Sequence, residues 1–250
     1  MTFQRSIPVR GEAHVWYGDT ETLLDPTRAD ACRKLLSEEE RGREMRFRFD
    51  ADRRQFLFAH ALLRVVLSES LRCPPTAIVF GSNPYGKPTL VHPEATGLCF
   101  NLSHTSGLAA CAIANGSNVG VDVERSDRTV NELGLARRYF SQSEVELLQS
   151  APIAGHRPMF YRLWTLKEAY IKARGLGLSL PLANFAFTIP PNGPPTISFS
   201  KSIDATPNEW RFSSVEIPDH HRAALALQVE EPARFVCHWC EVTHWPATQS

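Results

Sequence analysis

"GVDVER", residues 120–125, is the stretch on which the reading of this chain turns. In a strand, side chains two apart share a face with their origins roughly 7 Å apart. Asp122 and Glu124 then stand side by side, framed by Val121 and Val123. Two like charges so placed repel unless water screens them or a cation joins them. Hard carboxylate oxygens favour Mg²⁺ or Mn²⁺ over zinc, and Mg²⁺ takes few carboxylates, completing its shell with waters and substrate phosphates. A solvated edge strand is the competing reading, and the hexapeptide alone does not decide.

The helical segment "FYRLWTLKEAYIK", residues 160–172, shifts the balance. Trp164, Glu168 and Lys172 fall at i, i+4 and i+8, on one face. A solvent-exposed Glu–Lys pair contributes only about 0.2–0.5 kcal/mol and is common. The aromatic company of Phe160, Tyr161 and Tyr170 brings a charged residue close to a buried face instead. Upstream, "RGREMRFRFDADRR" at 41–54 carries six arginines against three acids. Such a run can be a solvated face, yet arginine is also the side chain suited to bidentate phosphate contacts. In "FNLSHTSG", residues 100–107, Ser103 and His104 are strand neighbours and face opposite ways, which argues against a serine–histidine nucleophilic pair. A histidine there can donate hydrogen bonds to a phosphate. His60, inside an apolar helix, reads as a packed side chain. The "CHWC" of residues 237–240 lacks the second ligand pair of a zinc site.

The 250 residues can bury a sizeable core, as one large domain or two small ones, and 43% hydrophobic with 22% charged residues is a globular composition. Zero formal net charge gives no bulk attraction to nucleic acid or an anionic membrane, so any anion site must be local. The longest apolar run, "LAACAIA" at 108–114, is too short to span a bilayer, and "MTFQRSIPVRGEAHVWYG" lacks a signal-peptide core, so a cytoplasmic protein is expected. The six cysteines follow no disulfide framework.

Along the chain, a strand over 13–17 precedes a helix from about 27, which the pair Ser37 and Glu40 restarts as a capping box. Asp50 is positioned to cap a long helix that Pro74 and Pro75 end. Strands follow at "AIVF", "TLV", "LCFNLSH", "GLAACAIA" and "NVGVDVE", with Asn115 and Gly116 as a hairpin or linker signal. The second half repeats the order: Ser141 and Glu144 open a helix, a longer one over 157–174 stops at Gly175 and Gly177, and five strands follow at "FAFTI", "TISFS", "WRFSSVEI", "RAALALQV" and "RFVCHWCEV". The expectation is an α+β protein of two similar lobes, each a helix on a small antiparallel sheet, divided as 1–117 and 118–250.

Taken together, "YGKP" (85–88), "FNLSHT" (100–105), "GVDVE" (120–124) and "FYRLWTLKEAYIKARGLGLSLPL" (160–182) resemble the surfactin-type 4′-phosphopantetheinyl transferases. The resemblance implies a pseudo-dimer with coenzyme A between its lobes, acting as a monomer. It implies a reaction that moves phosphopantetheine from coenzyme A to a serine of an acyl or peptidyl carrier protein, releasing adenosine 3′,5′-bisphosphate. Asp122, Glu124 and Glu168 resemble the ligands of Mg²⁺, with Mn²⁺ as a substitute, and Glu168 also the general base. Lys172 resembles the lysine at the β-phosphate, His104 the histidine at the α-phosphate, Ser103 a contact to the 3′-phosphate and Lys87 a border of the adenine. Other 3′-phosphate partners stay open among Arg43, Arg46, Arg53 and Arg54, with Arg43 and Arg54 expected to dominate. Carrier docking is expected within 125–160. A metal-dependent pyrophosphatase or phosphodiesterase acting on coenzyme A, or a non-catalytic carrier-binding module, are the competing functions.

Overall fold

Residues 7–94, 96–200 and 205–241 are described in the computed structural model. The end of the expected last strand at Val242 and the close of "CHWCEVTHW" lie outside the described residues, as do residues 1–6 of the stretch read for a signal peptide. The first half runs β1 (Glu12–Asp19), α1 (Pro26–Leu35), α2 (Glu38–Glu44), α3 (Asp50–Leu71), β2 (Val79–Ser82), β3 (Pro88–His92), β4 (Leu98–Thr105) and β5 (Leu108–Asn115). The second runs β6 (Val119–Arg125), α4 (Glu132–Tyr139), α5 (Gln142–Ser150), α6 (Ile153–Arg174), β7 (Phe185–Thr188), β8 (Thr196–Phe199), β9 (Trp210–Ile217), β10 (His221–Gln228) and β11 (Arg234–Trp239).

Local chemistry sets the helix boundaries. Both capping boxes form: Ser37 and Glu40 at α2, Ser141 and Glu144 at α5. Asp50, by contrast, is the first helical residue of α3; Phe49 stands at the cap and no side chain bonds the free N–H groups there. Helix α6 starts four residues ahead of the expected 157, and Pro158 lies inside it. It ends where Gly175 takes the left-handed conformation at φ +65°, which favours glycine. Helix α4, eight residues rich in charge, is not announced by the patterning.

The sheets are arranged as β11-β1-β5-β4 and β6-β10-β9, with hairpins β2-β3 and β7-β8 beside them. Helix α3 covers the outer face of the first sheet, burying Phe58, Leu62 and Val65 against Trp16, Cys111 and Ile113. Helix α6 covers the second in the same way, with Tyr170 edge-on to Trp210 at 4.8 Å and to Phe185 at 4.9 Å. The inner faces meet through Val15, Ala112, Val121 and Leu225. The result is the expected α+β architecture of two lobes, each built on a 22-residue helix.

Two expectations need correction. The first sheet is mixed, because β11 pairs with β1 in parallel, from Glu12 opposite Arg234 to Tyr17 opposite Trp239. A division at residue 117 therefore assigns this last strand to the lobe whose sheet it does not join; β1 already has β5 on one side, and β11 supplies the ladder that its other edge lacks. Of the two readings of Asn115 and Gly116 the linker holds, since β5 and β6 belong to different sheets.

Candidate active site

Strands β4 and β6 are the edges along which the two sheets face each other. No backbone ladder joins them. Instead, Asn101 Oδ1 accepts the Val121 N–H at 2.9 Å and Ser103 Oγ accepts the Val123 N–H at 3.2 Å, so side chains of one strand satisfy the backbone of the other. The alternation of β6 then turns Asp122 and Glu124 toward α6.

Gly120 allows the helix to come close enough. A Cβ on it would lie 2.0 Å from the Ala169 carbonyl oxygen and 2.6 Å from the Ala173 nitrogen. Only glycine fits beneath α6 there, and the close approach sets Glu168 and Lys172 over Asp122. The sequence displays this signal, a glycine heading an otherwise β-branched strand, but its partner is fifty residues away.

These elements enclose a cavity of about 350 Å³ lined by Ser103, His104, Asp122, Glu124, Trp164, Glu168 and Lys172. The i, i+4, i+8 face read from the sequence is thus one wall of it. Lys172 Nζ donates to Asp122 Oδ1 at 2.7 Å and to Ser103 Oγ at 2.8 Å. An ammonium has three donors, so one is left for a further anionic oxygen. Asp122 is 4% exposed, and its Oδ2 is buried with no hydrogen-bond partner among the described residues. Burial and the Asp122 charge push Glu124 up to about 7, against the lowering effects of Lys172 and a hydrogen bond from Trp164. The same two causes raise Glu168, again opposed by Lys172. Three carboxyl groups and one lysine leave the cavity short of positive charge. Among the described residues no three His, Cys, Asp or Glu side chains gather closely enough to hold an ion by themselves. The donor set still fits Mg²⁺, which needs one or two carboxylates when a substrate phosphate and waters supply the rest.

Leu102 and His104 also line a second cavity of about 730 Å³, which continues past Arg43, His60, Arg64, Phe80 and Gly86 on the first lobe. His104 sits at the junction, exposed to the cleft, with its pKa lowered by burial, by Lys172 and by His60. The Arg43 guanidinium lies 5.4 Å from the Phe56 ring, which stacks on His60 at 4.0 Å. His60 is more than a packed side chain: its Nδ1 is 2.9 Å from Glu40 Oε1.

Other expected site residues fall elsewhere. Ser103 is buried, its hydroxyl donating to Asp122 Oδ1 at 3.2 Å while accepting from Lys172 and Val123, which leaves no donor for a 3′-phosphate. Lys87 lines neither cavity; its Nζ donates to the Ala173 carbonyl at 2.8 Å and to that of Val119 at 3.4 Å. A cation satisfies the carbonyls that a helix end leaves unpaired, and α6 ends here. Asn83 Nδ2 adds a bond to the Gly175 carbonyl at 2.7 Å. Arg53 and Arg54 line a separate cavity of about 250 Å³ with Arg33, Glu44 and Asp50, and Arg54 pairs with Glu21 at 3.5 Å. Arg46 is exposed and lines none of these three cavities. Of the arginine run, only Arg43 borders the main cleft.

Comparison with known proteins then gives the class. The family described as "4′-phosphopantetheinyl transferase, N-terminal" matches residues 25–115, and the 4′-phosphopantetheinyl transferase superfamily matches residues 118–228. The 4′-phosphopantetheinyl transferase HetI of Nostoc is 35% identical over 86% of this chain and 87% of its own length. The 4′-phosphopantetheinyl transferase Sfp of Bacillus subtilis is 32% identical over 67% of this chain and 73% of its own length. A crystal structure of Helicobacter pylori holo-[acyl-carrier-protein] synthase in complex with coenzyme A aligns with 43% of this chain and 96% of that one, at 21% identity and a TM-score of 0.34. The molecule is a transferase. It belongs to the 4′-phosphopantetheinyl transferase superfamily, in the branch that resembles Sfp.

Proposed function

We propose that this chain transfers phosphopantetheine from coenzyme A to a serine of an acyl or peptidyl carrier protein with Mg²⁺, releasing adenosine 3′,5′-bisphosphate. The observation that carries the reading is Asp122, which lines a cavity shared with Glu124, Glu168 and Lys172 and whose Oδ2 is buried without a hydrogen-bond partner among the described residues. Coenzyme A lies along the connected cavities, with its adenosine end on the first lobe beside Arg43 and its pyrophosphate at the junction marked by His104. Asp122, Glu124 and Glu168 hold the metal, which when bound neutralises phosphate charge and reverses the mutual repulsion of the carboxyl groups.

Lys172, fixed by Asp122 and Ser103, presents its remaining donor to the β-phosphate. His104, kept neutral at physiological pH by its lowered pKa, donates one hydrogen bond to the α-phosphate. Glu168 receives the proton of the attacking serine hydroxyl, directly or through water, a task that suits a carboxyl group with a raised pKa. The second lobe, within 125–160, receives the carrier. One chain supplies both walls of the cleft, which supports a monomer. No disulfide joins the six cysteines, which supports a cytoplasmic setting. Among the described residues no helix is long and apolar enough to cross a membrane.

Intact-protein mass spectrometry of an apo carrier protein incubated with the enzyme, coenzyme A and Mg²⁺ tests the reading. A gain of one phosphopantetheine, absent with EDTA and absent with Asp122→Asn, is expected. Coenzyme A consumed without carrier modification would make the chain a hydrolase; no reaction on acyl or peptidyl carriers would leave a binding module.

A further inference from the structure

The β2-β3 hairpin packs on the first lobe through Phe80 and Leu90, and its Gly81, Ser82, Gly86 and Pro88 wall the cavity of about 730 Å³. Its tip reaches the other lobe. Asn83 closes the turn, its Oδ1 accepting the N–H groups of Tyr85 and Lys87 at 2.9 Å each. The other half of the amide leaves the hairpin, Nδ2 donating to the Gly175 carbonyl at 2.7 Å. Lys87 Nζ donates to the carbonyls of Ala173 at 2.8 Å and Val119 at 3.4 Å, so one ammonium joins the end of α6 to the head of β6. The helix end is fitted to receive them: a Cβ at Gly175 would lie 2.7 Å from Lys87 Cδ and 3.1 Å from Asn83 Nδ2. A tight turn closes on its own backbone and needs neither the Nδ2 nor the Nζ bond. Both serve the junction between the lobes.

Ala173 directly follows Lys172, and Glu168 stands one helical turn earlier. The hairpin that walls the first-lobe cavity is thus fastened within one residue of the lysine assigned to the β-phosphate. Neither Asn83 nor Lys87 lines either cavity, so both act through the backbone they hold. Lys172 has its own ties to Asp122 and Ser103; what the tip adds is the spacing between the two ends of one ligand. We propose that Asn83 and Lys87 are positioning residues, a latch that holds the hairpin at a fixed span from Lys172. Coenzyme A seated against the hairpin then presents its pyrophosphate in register with Lys172 and Glu168. The latch rests on the transferase reading above and deepens it, by naming what aligns the donor for attack.

Steady-state transfer to an apo carrier protein tests it with two donors: coenzyme A, and 4′-diphosphopantetheine, which keeps the pyrophosphate but has no adenosine to seat on the first lobe. Serine attack on the phosphorus next to pantetheine releases inorganic phosphate from the second donor. Asn83→Asp keeps the acceptor that closes the turn and removes the donor to Gly175; Lys87→Met removes the ammonium. With coenzyme A, each is expected to lower kcat about tenfold while KM stays within about twofold, because a misaligned donor binds but reacts slowly. With the truncated donor, both variants should match the wild type within about twofold. Equal losses on the two donors would reduce the latch to a helix cap and overturn it. A rise in the coenzyme A KM at unchanged kcat would make these residues direct contacts to the ligand and overturn it as well. Should Lys87→Met not fold, Asn83→Asp decides; should the truncated donor be inert, the split between kcat and KM on coenzyme A decides. Absence of transfer by the wild type overturns the transferase reading and the latch with it.

Discussion

In the first lobe the capping-box glutamate Glu40 reaches across to Arg64 of α3, its Oε2 accepting from Nε at 2.6 Å, and Arg64 also donates to the carbonyls of Pro75 and Ile78. In the second, Glu144 reaches Lys167 of α6 at 2.7 Å, and Lys167 donates to the carbonyls of Leu182 and Phe185. The parts match one for one: a serine cap, its glutamate, a cation from the long helix and two carbonyls of the chain that follows. The surroundings do not. Glu40 has His60 as a second partner and borders the large cavity, whereas Lys167 is fully buried beneath the Phe185 ring, which lies 4.4 Å from its Nζ. One lobe sets its brace along the wall of the larger cavity, with Arg64 itself buried. The other seals it beneath the helix that carries Glu168 and Lys172.

The sharpest way to break this comparison is to remove the cations. Lys167→Ala leaves Glu144 buried without its charge partner and should cost about 3–5 kcal/mol in denaturant unfolding, with burial having already drawn Lys167 down to about 8. Arg64→Ala should cost less, about 1–3 kcal/mol, because Glu40 keeps His60 beside the Ser37 N–H, whereas Glu144 keeps only the neutral donors of Ser141 and the Phe187 N–H. Equal losses would mean that the two braces carry the same load.

Glu40 also makes the first brace sensitive to acid. Burial alone would raise its pKa; hydrogen bonds from His60 and the Ser37 N–H, with the charges of Arg64 and His60, hold it at about 2 instead. A carboxylate lowered on folding contributes stability above its unfolded pKa and loses it as pH falls through the folded one. The stability gap between wild type and Glu40→Gln should therefore be constant above about pH 4.5 and close as pH falls toward 2.

Smaller effects test the helix seats. A Cβ at Gly18 would meet the Phe58 ring at 2.4 Å, and one at Gly120 would meet the backbone of α6 itself. Both alanine variants should lose about 1–3 kcal/mol. Only Gly120→Ala displaces Glu168 and Lys172, so its transfer rate should fall further than its stability predicts. Ser37→Ala and Ser141→Ala come last, at about 1 kcal/mol each in thermal unfolding.

What the sequence made legible follows the range of the interaction. Carboxylates two apart in a strand, a lysine one helical turn after a glutamate and serine–glutamate caps are local patterns, and Asp122, Glu124, Glu168 and Lys172 were readable as one constellation. Ser103 and Lys87 were not. Their partners, Asp122 and the carbonyls of Val119 and Ala173, lie 19 to 86 residues away, and nothing in "SHT" or "GKP" records them. Arg54 falls away from the main cleft for a related reason: the arginine run spans the end of α2 and the start of α3, so positions 43 and 54 face different cavities. The role of Gly120 was visible only as a glycine in a strand.

The parallel seat of β11 beside β1 sets an order of events during synthesis. Glu12 and Arg234 are 222 residues apart, so the half of the protein that leaves the ribosome first is the last to be finished. Until residue 239 has been made, β1 presents a bare edge able to pair with another chain. The first lobe folds as a sheet with its final place reserved, and the end of the chain returns to close it.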